Sequence, residues 1–153
     1  SFCGEGLYSF AELLEMQEAL LEGNPGTTFV VAHCGSYSEN LAAVGKWLDR
    51  YPNMLIDIAD RINDLGRQPY TARAFFNRYA DRVLLGTDMT PLDVDRYPIY
   101  YRFLETFDEY FDYSTEPAPP QGEWKIYGLG LEDGVLERVY RKNAEKILRL
   151  KEI

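Results

Sequence analysis

The strongest constraint on this chain's fold is a pattern that occurs three times: a short apolar run that closes on a polar residue. It reads "TTFVVAH" at 27–33, "MLIDIAD" at 54–60 and "RVLLGTD" at 82–88. Each run is too short for a helix and rich in β-branched or aliphatic residues, which predicts a strand. About twenty residues with helical periodicity separate successive runs, the length of a crossover between parallel strands. Parallel strands are covered on both faces, so they read as almost continuous apolar runs, as "TFVVA" and "VLLG" do. The prediction is an α/β chain with three parallel strands. Parallel topology sends their carboxyl ends to one rim, where α/β folds bind ligands. That rim carries His33 at the first end, Asp57 in the second strand with Asp60 and Arg61 at its end, and Asp88 at the third end. Any one of these residues also has an ordinary reading as a loop cap; three ends in register favour a site.

The intervening segments fit this plan. Ser9 with Glu12 forms a capping-box pattern, in which hydroxyl and carboxylate satisfy free amides at a helix start. A helix is predicted to about Glu22, its stripe formed by Phe10, Leu13, Leu14 and Leu20 or Leu21, and "GNPG" at 23–26 ends it. Further helices are expected from about Ser38 to Arg50 and from Pro69 to about Tyr79. Beyond Asp88, Tyr97, Tyr100, Tyr101, Leu104, Phe107 and Phe111 lie at helical spacing and read as core packing. "STEPAPPQGE" is too rich in proline for a helix or central strand and predicts a surface loop. Residues 132–150 read as helical, either as one element or as two broken near Lys142, with cations toward the end.

Composition excludes several function classes. With 25 acidic against 16 basic residues and a net charge of −9, the chain repels nucleic acid and anionic lipid. Its 153 residues, 46% apolar, can bury one core. Cys3 and Cys34 form neither a CxxC pair nor a disulfide framework, which points to a reducing, cytoplasmic setting. No run approaches the ~20 apolar residues of a membrane span. No glycine-rich phosphate loop follows a strand, which disfavours a flavodoxin-like nucleotide binder.

A carboxylate closing a buried strand needs a cation, a metal or several donors to stay charged. A divalent metal would serve Asp88, with His33 as a further ligand or as a base toward metal-bound water. Three or four protein ligands make such a site, and the chain has no His-x-His pair or cysteine cluster to supply the rest.

The segments "FVVAHCGSYSENLAAVGKWLDRYPNMLIDIADRINDLGRQP", "FFNRYADRVLLGTDMT", "YYRFLETFDEYF", "IYGLGL" and "VYRKNAEKIL" occur in this order. Together they resemble the C-terminal half of the amidohydrolase-related metal-dependent hydrolases, which include decarboxylases of the aminocarboxymuconate-semialdehyde type. The resemblance implies a partial (β/α)8 TIM barrel with parallel strands six to eight and their helices, residues 1–153 being the C-terminal portion of one barrel domain. It assigns Asp88 as a catalytic metal ligand after strand eight and His33 as the strand-six catalytic base, electrostatic helper or metal ligand. Arg61, just past strand seven, is placed where it could pair with a substrate carboxylate; a salt bridge to Asp57, Asp60 or Asp64 is its ordinary alternative. The cofactor implied is a divalent metal, zinc by preference. The family's strand-one His-x-His or Glu-x-His pair and its strand-five histidine have no counterpart here, so the isolated chain is expected to lack a complete ligand set and to be inactive.

Two functions follow as expectations. The first is the C-terminal part of a metal-dependent hydrolase or non-oxidative decarboxylase acting on a small organic acid or amide. The second is a noncatalytic half-barrel module for structure or protein interaction. Either would expose two strand edges and an inner sheet face, so the expected partners are a small-molecule substrate and either the missing half of the barrel or a second copy of the chain.

Overall fold

A computed structural model describes residues 7–149; Cys3 and the final residues of the 132–150 segment lie outside them. Helix α1 (Phe10–Gly23) starts on the expected capping box: the Ser9 amide donates to Glu12 Oε2 at 2.7 Å, and the Glu12 amide donates to Ser9 Oγ at 3.3 Å. Strand β1 (Phe29–Val31) follows, then α2 (Leu41–Arg50), β2 (Met54–Asp57), α3 (Pro69–Arg78) and β3 (Val83–Leu84). Asn40 caps α2 by accepting from the Ala43 amide at 3.1 Å, which starts the helix three residues later than its apolar pattern suggested.

The three strands form one parallel sheet in the order β1–β2–β3, with Val31 opposite Ile56 and Ile56 opposite Val83. The fold is thus mixed α/β, consistent with part of a (β/α)8 barrel that is not closed. On one sheet face Met54, Ile56 and Val83 are fully buried together with Val44 of α2 and Phe76 of α3. Alternation of side chains puts Val30, Leu55, Asp57 and Leu84 on the other face. Only Val30 is exposed there, at 44%, so that face is less bare than expected.

The C-terminal segment runs along the edge of β3. It runs as α5 here only from Asp133 to Glu137, passes through a π-helical stretch (Arg138–Lys142) and ends in a helix over Asn143–Leu148, with the irregularity reaching the expected Lys142. Val139 O accepts from the Leu85 amide at 2.9 Å, and buried Asn143 donates to Ala80 O and Val83 O, each at 2.8 Å. The β3 side is therefore covered, which corrects the expectation of two bare edges.

The aromatic stretch after Asp88 departs from its periodicity. Helix α4 (Tyr97–Glu105) stops before Phe107 and Phe111. The reason is a competing strand of chain: amides of Gly128, Leu129, Gly130 and Leu131 donate to the carbonyls of Asp108, Phe103, Thr106 and Leu104, taking up the last helical turn's free acceptors. Glycine is required at 128, because a Cβ there would lie 2.2 Å from Thr106 O. Phe107 consequently projects outward at 69% exposure, while Phe111 is buried in a two-stranded antiparallel ribbon, β4 (Phe111–Asp112) with β5 (Lys125–Ile126). The proline-rich segment is the irregular link between β4 and β5. None of the helices among the described residues is long and apolar enough to cross a membrane.

Candidate functional site

All three polar strand ends adopt the same unusual backbone. His33 (φ 56°), Asp60 (φ 50°) and Asp88 (φ 54°) are left-handed, a conformation that costs a non-glycine residue about 1 kcal/mol or more. Each sits just beyond its strand, where the chain reverses sharply from strand into loop. His33 lies two residues past Val31, the last residue of β1, and Cys34 and Ser36 share its left-handed geometry.

The His33 turn is held by Asp57, whose role the sequence reading did not identify. Asp57 Oδ1 accepts from the His33 amide at 2.9 Å and from the Ala59 amide at 3.0 Å, joining the first strand end to the second. Ala59 O in turn lies 2.9 Å from His33 Nδ1. A carbonyl can only accept, so Nδ1 must carry the proton, which leaves Nε2 of the neutral ring with a free lone pair. Nε2 is 4.0 Å from Asp88 Oδ2. Two acceptors facing each other at this distance are favourable only when a proton or another cation lies between them or near both.

Asp88 differs from its expectation in one respect. Its side chain is 58% exposed, so water, rather than an obligatory cation, compensates its charge. The apolar run "VLLG" buries Val83 and Leu84, but the chain has reached the surface by residue 88.

Arg61 takes up the ordinary alternative: Nη1 donates to Asp60 Oδ2 at 3.3 Å and also to Asp60 O. Asp60 Oδ2 additionally accepts from Gln121 Nε2 at 2.9 Å, tying the second strand end to the loop before β5. Arg61 is therefore on the rim but engaged, and it does not line the cleft beside Asp88.

That cleft encloses about 70 Å³ between Asp60, Thr87, Asp88, Arg96, Tyr100 and Ser114, among others. Tyr100 donates its hydroxyl to Thr87 O at 3.1 Å. Burial, and secondarily the charge of Asp60, pushes its phenol up to about 12, so it stays protonated as a donor. The sequence reading counted Tyr100 as core, which its 7% exposure supports, but overlooked that its polar end faces the rim. It also overlooked Arg96; the signal was its place in the loop that follows the third strand. Cys34, buried directly behind His33, has its thiol pushed up to about 12 by burial and by the Asp57 charge, which makes it a packing residue at neutral pH.

Whether these residues fit a metal is decided by the donors present. His33 Nε2 and Asp88 Oδ2 are two, and no group of three or more His, Cys, Asp or Glu side chains that could hold an ion occurs among the described residues. A catalytic zinc ion takes at least three protein ligands. The pair by itself does not make a metal centre.

A protein-family model described as amidohydrolase matches residues 4–150, nearly the whole chain. Its members are metal-dependent hydrolases and decarboxylases. No curated protein and no solved structure matches the chain.

Proposed function

The chain belongs to the amidohydrolase family, and from that premise we propose that residues 1–153 form one part of a barrel domain whose rim contributes His33, Asp88 and Arg61 to the active site of a hydrolase or non-oxidative decarboxylase. The substrate class is a small organic acid or amide. The observation that carries the reading is the placement of His33, whose Nδ1 is bound to Ala59 O and whose Nε2 lies 4.0 Å from Asp88 Oδ2.

His33 acts as the group that takes a proton at Nε2 and returns it, since its Nδ1–H stays committed to Ala59 O throughout. Asp88 stabilises the imidazolium so formed and is one donor toward a divalent ion, zinc by preference, whose remaining ligands come from barrel strands other than these three. Arg61 serves the rim by holding Asp60 through Nη1, which positions the second strand end beside the cleft.

The test is made in the enzyme with its barrel complete. Asp88→Asn is expected to lower the bound metal content, while His33→Gln keeps the metal and lowers turnover by roughly 10²–10⁴-fold. Wild-type turnover and metal content in both variants would sink the reading.

The partner surface is proposed from α1. Phe10 (49%), Leu13 (51%), Met16 (44%) and Leu20 (53%) are exposed beside Val30 of edge strand β1. A further strand and helix of the same barrel fits this surface, and a second copy of the chain covers it when that unit is not there. Under the noncatalytic alternative the same surface would be the chain's whole purpose. Sedimentation of the isolated chain is expected to show association that Leu13→Glu weakens.

A further inference from the structure

Four arginines are half-buried among the described residues, and two of them are satisfied by polar partners. Arg61 is bound to Asp60 and Arg82 donates to the carbonyls of Tyr51 and Met54, while Arg73 lies over the Phe107 ring at 5.1 Å with its Nε buried and without a hydrogen-bond partner. The fourth, Arg96, forms no ion pair and donates no side-chain hydrogen bond among the described residues, although Asp95 is its neighbour in sequence. It lines the cleft that also contains Asp88 and Tyr100. A guanidinium partly withdrawn from water without a partner is unfavourable, and an incoming anion removes that deficit.

We infer that Arg96 forms an anion subsite, beside the Tyr100 ring, that takes a carboxylate of the substrate, a proposal that rests on reading the Asp88 rim as the substrate site. The other cation on the rim is already neutralised by Asp60, which leaves Arg96 as the free positive charge of the cleft. Asp88 lines the same cleft and lies 4.0 Å from His33 Nε2, so the rest of a molecule held at Arg96 extends past Asp88 toward His33. Asp88 opposes a neighbouring carboxylate by like charge, so the subsite binds weakly until that charge is offset.

The probe is sodium benzoate, with benzamide as its uncharged isostere, titrated into the full chain and followed by the arginine Nε–Hε resonances in ¹H–¹⁵N spectra. This readout needs no turnover, so it stands or falls apart from the metal and activity measurements above. Benzoate is expected to shift the Arg96 resonance saturably and benzamide to leave it unmoved. Arg96→Gln should weaken binding at least tenfold, Arg61→Gln should leave it within about twofold, and Asp88→Asn should tighten it severalfold. Arg96→Lys, which preserves charge and fold, should retain measurable but weaker binding. Benzoate binding unchanged in Arg96→Gln, binding lost in Arg61→Gln instead, equal binding of benzamide, or no saturable shift in the wild-type chain would each overturn the assignment.

Discussion

The turns after β1 and β3 end on the same backbone conformation and are built in opposite ways. At the first, His33 is left-handed, its amide is bound to Asp57, its ring is bound to Ala59 O and Cys34 is buried behind it. At the third, Asp88 is left-handed with its side chain 58% exposed. One strand end is clamped by its neighbours, and the other is presented to solvent. The difference separates two tasks within a single pair: a base must hold its tautomer and direction, whereas a carboxylate offered to a ligand must remain reachable.

The clamp is where the largest stability effect is expected. Asp57→Ala leaves the His33 and Ala59 amides without their acceptor, a loss of roughly 2–4 kcal/mol, or about 5–15 °C in Tm, measurable by calorimetry. A change below 0.5 kcal/mol would mean that the clamp does not hold the turn. Alkaline pH probes the same side. Cys34 has an ordinary value of 9.0 and is raised to about 12 in the folded chain. Between those values the unfolded chain has lost the thiol proton and the folded chain has kept it, so stability falls as pH rises, by about 1.4 kcal/mol per pH unit for this group. Tyr100, raised from 10.0 to about 12, adds a fall of the same sign over the upper part of that window. Denaturant melts at pH 8 to 11 measure this slope, and a flat profile would contradict it. Glycine at each turn separates the two ends directly. Asp88→Gly removes left-handed strain with no hydrogen bond lost and should gain up to about 0.5–1 kcal/mol, whereas His33→Gly also loses the Ala59 contact and should be neutral or destabilising. The smallest effect belongs to Asp88→Asn, expected within about 0.5 kcal/mol of wild type because the carboxylate is solvated.

Much of this arrangement was legible in the residues. Periodicity located the three strands and their intervening helices, and the Ser9 and Glu12 capping box marked the start of α1. The closing polar residues of each run marked the rim. Other parts were hidden because they depend on partners distant in sequence. The aromatic positions 97–111 keep helical spacing past Glu105, but residues 128–131 cap the last turn and stop the helix. Asp88 looked like a buried acid because the run before it is buried, yet a single sharp turn carries it into water. Arg61 and Arg96 both follow a strand end, four residues past β2 and twelve past β3. Only their surroundings make one a structural partner of Asp60 and leave the other free in the cleft.

The sequence by itself determined the α/β alternation, the direction of the strands and the rim that would carry chemistry, because these follow from apolar period and from the length of the crossovers. Tertiary structure alone decided which nitrogen of His33 is free, which arginine is unpartnered and how exposed Asp88 is. The first depends on hydrogen bonds between residues more than twenty positions apart, such as Asp57 with His33, and the others on how the folded chain places each side chain against its surroundings and against water.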